Sequence, residues 1–286
     1  MARPSASVIV PFLGSPFELR ALLARLRGLR LAEGDEVLVA DNRPRPSGPA
    51  TERHEEARVA IVPAPGRRSA PHARNAAAAR ARGEWLVFLD ADTAPAPDLL
   101  DAYLDPPPAE DVAVLVGAVE DRAERDTLCA RYITARRKLD QANTLAHPYR
   151  PYGQTANCAV RRAAFEAVGG FADEIRLGDD ADLCWRLQDA DWRLESRPAA
   201  RVAHRNREHV RDLLGQMSRH GMGLAWLELR HPGSAPRPRA RDLVGRAPHY
   251  LGAARRARDR EERLYALLDL ASLYARDLGR LRSNRA

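Results

Sequence analysis

One short apolar run that ends on two acidic residues constrains the fold of this 286-residue chain more than any other feature. The run, Trp85–Leu89, is too short for an independent helix and predicts a strand buried on both faces. Asp90 and Asp92 follow it directly. Ligands bind at the carboxyl ends of strands in an open parallel sheet, and two carboxylates there can hold Mg²⁺ or Mn²⁺. The alternative is that both acids only cap the loop before a helix near Asp98.

Further apolar runs alternate with segments of helical periodicity along the first two thirds of the chain. The predicted strands cover residues 7–11, 36–42, 59–62, 85–89, 112–119 and 155–160, with a strand end at 201–204. The predicted helices include 16–29, 71–82, 180–190 and 208–229. Residues 43–57, rich in proline and arginine, predict a loop with a short helix, and residues 123–146 a polar helix or loop. This alternation predicts an α/β protein with a parallel sheet.

The domain division is predicted from composition. Residues 232–238 are a proline-containing linker, so we expect one domain over residues 1–232 and a helical extension over 233–286. The extension has 13 arginines against 6 acids, which accounts for the whole net charge of +7. The remaining body is neutral, which argues against a nucleic-acid partner. The basic helices could contact anionic lipid, or they could pack on the protein or on a second subunit as a homodimer.

Composition also limits the cellular setting. No stretch approaches the roughly 18 uncharged apolar residues that a membrane-spanning helix needs, and the N-terminus lacks the pattern of a signal peptide. Three widely spaced cysteines form neither a disulfide framework nor a zinc pattern. We therefore expect a cytoplasmic protein, with peripheral membrane contact as the variant. The P-loop and Rossmann glycine motifs are both missing, which argues against those nucleotide-binding classes.

Clusters of acidic residues end three of the apolar or turn segments. They are Asp41, then Asp90 with Asp92, then Asp179, Asp180 and Asp182. Acids next to buried segments usually have partners, and a cation held by Asp92 needs phosphate or water to complete its shell, which predicts a nucleotide diphosphate ligand. Arg74 and Asn75, near the start of an Ala-rich helix, could contact ribose or phosphate. A solvated helix face is the alternative for this pair.

In this order, the segments resemble the family 2 glycosyltransferases over roughly residues 5–230. The resemblance is carried by residues 8–11, 37–42, 73–75, 83–92, 155–159, 169–171 and 178–187. It implies a GT-A fold, with a mixed, mainly parallel sheet flanked by helices and here a C-terminal helical extension. It also implies inverting transfer of one sugar from a nucleotide-diphosphate sugar, with UDP expected as the nucleotide. The acceptor would be a small molecule, a saccharide or a lipid-linked molecule, and Mn²⁺ or Mg²⁺ the cofactor.

The resemblance also implies roles for individual residues. The expected nucleotide-sugar contacts are Pro11, Asp41, Arg74, Asn75, Asp90, Ala91 and Asn157. Asp92 would be the main metal ligand, with Asp90 and His204 as further ligands, although a lone histidine is more often structural. Asp180 stands at the position of the family's general base. Because Asp179 replaces the glutamate that usually precedes it, the base could be either of the two aspartates.

Two features separate the alternatives that remain. Residues 216–220 lie where processive members carry Gln-x-x-Arg-Trp, and His220 replaces the tryptophan, which favours a single transfer over polymer synthesis. Residues 11–15 lack the glycine-rich loop, followed by arginine and lysine, that is typical of sugar-phosphate nucleotidyltransferases. That enzyme class stays the first alternative. A non-catalytic nucleotide-sugar-binding protein of the same fold is the second, and the presence of Asp92 and Asp180 argues against it.

Overall fold

A computed structural model gives the fold of residues 3–44, 53–54 and 58–286. The strands found in these residues are β1 (Ala6–Phe12), β2 (Glu36–Asp41), β3 (Arg53–His54), β4 (Val59–Pro63), β5 (Trp85–Leu89), β6 (Thr93–Pro95), β7 (Val112–Arg122), β8 (Asn157–Arg161) and β9 (Arg193–Arg205). The helices found there are α1 (Pro16–Leu26), α2 (Ala70–Ala78), α3 (Leu99–Leu104), α4 (Leu128–Arg136), α5 (Ala142–Leu145), α6 (Arg162–Ala167), α7 (Asp179–Asp189), α8 (Val210–Arg230), α9 (Ala240–Arg256) and α10 (Arg260–Gly279).

Strand β5 lies in the middle of a sheet whose order is β3-β4-β2-β1-β5-β8-β7-β9-β6 among the described residues. All five β5 side chains are fully buried, as its unbroken apolar sequence predicts. Strands β4, β2, β1 and β5 run parallel, so their carboxyl ends meet at one edge. The acid that ends β2 and the acids that follow β5 therefore lie at the same edge of the sheet.

Antiparallel strand pairs occur on the other side of β5. Strand β8 pairs antiparallel with both β5 and β7, and β6 pairs antiparallel with β9. Together with the parallel half this gives the mixed sheet of the GT-A type, so the predicted fold class is confirmed. The strand end predicted at residues 201–204 is the end of the 13-residue strand β9. Its first half was not predicted because exposed and half-buried charged residues replace the apolar alternation there.

Most predicted helices are present with shifted ends. The long helix predicted at 208–229 is α8, and the polar segment 123–146 contains α4 and α5. The short helix predicted within residues 43–57 falls mostly outside the described residues, and the described part of that range includes the two-residue strand β3. Helix α1 begins with a capping box, in which Ser15 and Glu18 each accept a backbone N–H of the other.

The chain divides into two compact units that do not follow the predicted boundary at residue 233. The first comprises residues 1–120, 139–204 and 286, and the second residues 121–138 and 205–285. Helix α8 thus groups with α9 and α10 and not with the sheet. Tyr132, Leu213 and Tyr265 belong to the apolar core of the second unit. None of the helices in the described residues is long and apolar enough to cross a membrane. The assignment of residues 1–232 as the catalytic domain stays a prediction.

Two glycines allow α8 and α10 to touch backbone to backbone. A Cβ atom at Gly221 would lie 1.9 Å from the carbonyl oxygen of Arg276, and one at Gly279 would lie 1.9 Å from that of Ser218. Any side chain at either position would have to push the helices apart. The crossing therefore depends on glycine at both positions, and it fixes how the extension packs within its own unit.

We expect Gly221→Ala to destabilise the protein, because its methyl group would collide with backbone that cannot rotate away. Overpacking of this kind costs about 3 kcal/mol or more, which lowers the melting temperature of a protein this size by about 6 °C or more. Gly215→Ala on the same helix is the control, since its Cβ would meet only the end of Arg219 at 3.6 Å. Thermal denaturation measures both. A Gly221→Ala protein as stable as the Gly215→Ala protein would contradict the close crossing.

Candidate active site

Asp90, Asp92 and His204 form a cluster at the carboxyl end of β5. One potential ligand atom from each lies within 4.8 Å of the other two. The pairing of β6 with β9 creates the cluster, because Thr93 lies opposite His204 and brings its imidazole beside Asp92. The His204 Nε2 atom is 3.3 Å from Asp92 Oδ1. All three predicted metal ligands are thus together, although His204 lies more than 110 residues after the two aspartates in the chain.

The chemistry of this cluster fits a divalent cation. Two carboxylates and an imidazole are ligands that such ions use in proteins. His204 is buried, and within the described residues its Nδ1 atom has no hydrogen-bond partner. The other ring nitrogen, Nε2, faces Asp92, so it is the atom that could join the two carboxylates around a cation.

Arg74 on α2 links this cluster to a second group of acids. Its guanidinium donates to Asp90 Oδ1 at 2.8 Å and to Asp179 Oδ2 at 2.9 Å. The side chain is only 4 % exposed and lies 5.8 Å from the ring centre of Phe171. A buried cation needs paired anions, so Arg74 holds the end of β5 and the start of α7 at a fixed separation. The sequence predicted Arg74 as a nucleotide contact, and the structure gives it two carboxylate partners.

The second group of acids lies in the first turn of α7. Gly178 precedes the helix with φ +93°, a left-handed conformation that glycine adopts without strain. Burial raises the pKa of Asp179, against the lowering effect of Arg74. Burial and the neighbouring Asp179 charge raise the pKa of Asp180 to about 7, although its Oδ1 accepts the N–H of Ala181 at 2.8 Å. Asp180 is half-buried and therefore reachable from solvent.

The turn between α6 and α7 is held by side chains from α2 and α7. Asn75 on α2 donates to the Phe171 carbonyl at 2.8 Å and accepts its N–H at 3.0 Å. Arg186 on α7 donates to Asp182 and to the carbonyls of residues 168 and 170. Asn75 was predicted to line the nucleotide pocket. Its amide is used at both ends for this turn, so the geometry favours a structural role.

Asp41 and Pro11 lie at the same sheet edge, on β2 and β1. Asp41 is fully buried, and Arg43 donates to both of its carboxylate oxygens at 2.8 and 2.6 Å. The Arg43 guanidinium is also 5.7 Å from the ring centre of Phe12. Pro11 pairs with Ala40 across the two strands. The predicted pair is therefore at the expected edge, together with Arg43, which the sequence did not indicate.

The two remaining predicted nucleotide-sugar contacts are Ala91, beside the metal cluster, and Asn157, in the protein interior. Ala91 lies between the two metal-cluster acids, and its carbonyl accepts from Arg25 at 2.7 Å. Asn157 lies opposite Leu89 but is fully buried. Its amide accepts from Tyr103 at 2.8 Å and donates to the carbonyls of residues 118 and 200 at 2.9 Å each. All of these partners are in the protein, so the geometry favours a structural role for Asn157.

Tyr152 is a candidate site residue that no sequence pattern indicated. The backbone N–H of Gly153 approaches the Cys184 sulfur at 3.5 Å, and Cys184 lies one helical turn after Asp180 on the same face of α7. Burial raises the pKa of the Tyr152 hydroxyl, with a smaller contribution from the Asp180 charge. Tyr152 also packs against Trp185, at 5.9 Å between ring centres.

Comparison with known proteins identifies the family. The model of "Glycosyl transferase family 2" matches residues 7–169, more than half of the chain. The chain belongs to glycosyl transferase family 2. Pre-mycofactocin glycosyltransferases from two strains of Mycobacterium tuberculosis (CDC 1551 / Oshkosh and ATCC 25618 / H37Rv) are 30 % identical to this family 2 member over 230 residues, covering 79 % of the chain. That alignment covers 48 % of each relative, so the chain spans about half the length of the curated relatives it matches.

Solved structures support the GT-A fold of this glycosyl transferase family 2 protein. A mannosyltransferase, PcManGT from Pyrobaculum calidifontis, in complex with GDP-Man and Mn²⁺, matches with a TM-score of 0.56 and 22 % identity, covering 96 % of this chain and 76 % of that one. GalNAc-T7 with UDP, GalNAc and Mn²⁺ matches with a TM-score of 0.53 and 14 % identity, over 72 % of this chain and 44 % of that one. Identities this low support the fold alone.

Proposed function

We propose that this protein transfers a single hexose from a nucleotide-diphosphate sugar to an acceptor hydroxyl with inversion at the anomeric carbon. One observation carries the proposal: Arg74 joins an Asp-Asp-His cluster to a pair of aspartates, with contacts of 2.8 and 2.9 Å. In a direct displacement, one group assists the leaving group and another activates the attacking hydroxyl. A cation site and a candidate base at a fixed separation meet this requirement. Family membership favours this reaction over the nucleotidyltransferase alternative.

Asp90, Asp92 and His204 would hold the cation. Manganese suits this mixed set better than magnesium, which prefers oxygen ligands alone. When bound, the ion would neutralise charge that develops on the departing diphosphate. Two solved structures of the same fold contain Mn²⁺, one with GDP-Man and the other with UDP and GalNAc. Asp41, Pro11 and Ala91 lie at the same sheet edge, where the nucleoside part of the donor would bind, with UDP as the first candidate nucleotide. Asp41 would act there by holding Arg43, which donates to both of its carboxylate oxygens.

Asp180 is the better candidate for the general base. Asp179 is tied to Arg74 and is 4 % exposed, so its carboxylate is committed to holding the site together. Asp180 is half-buried, and no hydrogen bond from a described residue reaches its Oδ2 atom. A carboxylate whose pKa is about 7 accepts a proton from an attacking hydroxyl more readily than one with an ordinary pKa. Tyr152 would orient the acceptor beside it by donating a hydrogen bond.

Inversion follows from the proposed division of roles. The cation cluster would assist the leaving group, and Asp180 would deprotonate the acceptor hydroxyl on the opposite face of the sugar. A direct displacement of this kind needs no nucleophile from the protein. The acceptor would be a small molecule, a saccharide or a lipid-linked molecule, which enters on the side of Tyr152.

A donor screen tests the proposal. The purified protein is incubated with a panel of UDP-, GDP- and dTDP-sugars, with Mn²⁺ or with a chelator, and release of the nucleotide diphosphate is measured with water as the acceptor. We expect slow hydrolysis of at least one donor that requires the cation. Hydrolysis of a donor that proceeds equally well with excess chelator, or release of a nucleoside monophosphate instead, would contradict the proposal.

A further inference from the structure

Helix α9 has an inner face that packs within the second compact unit. The Tyr274 hydroxyl of α10 donates to the Leu243 carbonyl at 2.8 Å, and Arg246 pairs with Asp277 at 3.3 Å. Ala254, two turns further along the same face, is 6 % exposed. These contacts cover one side of the helix and leave its opposite side uncovered.

The outer face of α9 is apolar in the middle and basic at both ends. Val244 is 74 % exposed and Leu251 is 41 % exposed, with exposed Pro248 between them. Exposed Arg241 precedes this row and exposed Arg255 follows it. The spacings of three, four, three and four residues place all five on one face of the helix. We call these five residues the α9 stripe.

The charge around the α9 stripe is strongly positive. Residues 237–260 contain eight arginines and two acids. Both acids cap helix starts: Asp242 accepts the N–H of Arg239 at 2.9 Å, and Asp259 accepts that of Glu262 at 2.8 Å. The acids are therefore used locally, and the arginines dominate the potential around the stripe.

We propose that the α9 stripe docks on an anionic membrane surface. Val244, Pro248 and Leu251 would enter the boundary between headgroups and acyl chains, while Arg241 and Arg255 contact lipid phosphates. A helix with an exposed apolar row and basic flanks lies in the plane of such an interface. Packing on the protein and contact with lipid, the two predictions made for the extension, thus apply to different helices. Helix α10 packs against α8, and the exposed face of α9 would contact lipid.

A second copy of the chain is a poorer occupant of the α9 stripe. Two copies meeting through this face would bring two segments with a net charge of +6 together, which like-charge repulsion opposes. Three apolar side chains also provide far less than the roughly 800 Å² per partner of a stable protein interface. An anionic bilayer offers acyl chains to the apolar row and negative charge to the arginines.

Co-sedimentation with vesicles tests the proposal. We expect the full-length protein to bind vesicles of phosphatidylcholine containing about 30 % phosphatidylglycerol, to bind pure phosphatidylcholine at least about fivefold more weakly, and to dissociate at high salt. The double variant Arg241→Gln/Arg255→Gln should lower the partition coefficient about 25-fold, since each arginine near the surface contributes about fivefold. The double variant Val244→Asp/Leu251→Asp should lower it about tenfold or more, because it removes the apolar contact.

Phe17→Asp is the matched control, since Phe17 is 72 % exposed but lies on α1 in the first unit. It should bind vesicles like the unmodified protein, and melting temperatures check that every variant is folded. Unchanged binding in both α9 double variants, or equal binding to neutral and anionic vesicles, would overturn the proposal. So would a dimer in analytical ultracentrifugation that Val244→Asp/Leu251→Asp dissociates while no vesicle binding occurs. This inference does not depend on the proposed sugar transfer, so failure of either leaves the other standing.

Discussion

Replacing Asp92 with alanine is expected to reduce cation-dependent donor hydrolysis by about a thousandfold, since losing one strong electrostatic contact to developing charge costs about 10²–10³ in rate. Asp92 contributes one of the three ligand atoms that lie within 4.8 Å of one another. Its removal leaves one carboxylate and an imidazole, too few ligands to hold Mn²⁺ at micromolar concentration. Titration with Mn²⁺, followed by its electron paramagnetic resonance signal, and the hydrolysis rate measure both effects.

Asp98→Ala provides the control for this change. Asp98 belongs to the same segment, but its side chain is 48 % exposed and its pairing with Arg30 is loose, at 3.8 Å. We expect this variant to bind Mn²⁺ and to hydrolyse the donor at the unmodified rate. If Asp92→Ala bound Mn²⁺ as tightly as Asp98→Ala does, the metal assignment would be wrong.

Replacing Asp180 with asparagine is expected to lower turnover by about 10²–10⁴-fold, the usual contribution of a general base. In the unmodified protein, the rate should rise with pH through about 7, because the base acts only when deprotonated. The variant should lose this dependence together with its activity. Asp189→Asn, an exposed acid at the far end of the same helix, is the control and should leave the pH profile unchanged.

Replacing Asp180 with asparagine should also make the protein more stable at alkaline pH. The pKa of Asp180 in the folded protein, about 7, is above the 3.8 of a free aspartate, so between these values the folded state binds more protons than the unfolded state. Stability contributed by this group therefore falls as pH rises through that window and stays low above it. Asparagine has no charge to bury, so the melting temperature of the variant should exceed that of the unmodified protein at pH 8 and approach it at pH 4. A variant less stable at pH 8 would contradict the burial of an ionised Asp180.

The features predicted from the sequence were those that depend on residues adjacent in the chain. Strand β5 and the acids after it needed only an unbroken apolar run and an abrupt change of polarity. The resemblance to the family then indicated His204 as a further ligand, although a single histidine at the end of a weakly apolar strand gave no signal of its own. Its position beside Asp92 depends on the pairing of β6 with β9, two strands separated by almost 100 residues.

The contacts that could not be predicted are made with partners far away in the sequence. Asn75 was expected to bind nucleotide, but its amide holds the backbone of Phe171, 96 residues later. The Asn157 amide likewise forms hydrogen bonds with Tyr103 and with two carbonyls that are distant in the sequence. The unit boundary also differs from the division predicted at the linker of residues 232–238, because the glycine contact between α8 and α10 outweighs the change in composition.

Calorimetric titration of the donor into two variants tests the central claim most directly, since the claim assigns donor binding and proton transfer to different acids. The donor is the sugar nucleotide that the screen identifies, and Mn²⁺ is present throughout. We predict that Asp180→Asn binds it with a Kd within about threefold of the unmodified protein, while Asp92→Ala binds at least about tenfold more weakly. Equal affinity in Asp92→Ala, or loss of donor binding in Asp180→Asn, would contradict the account.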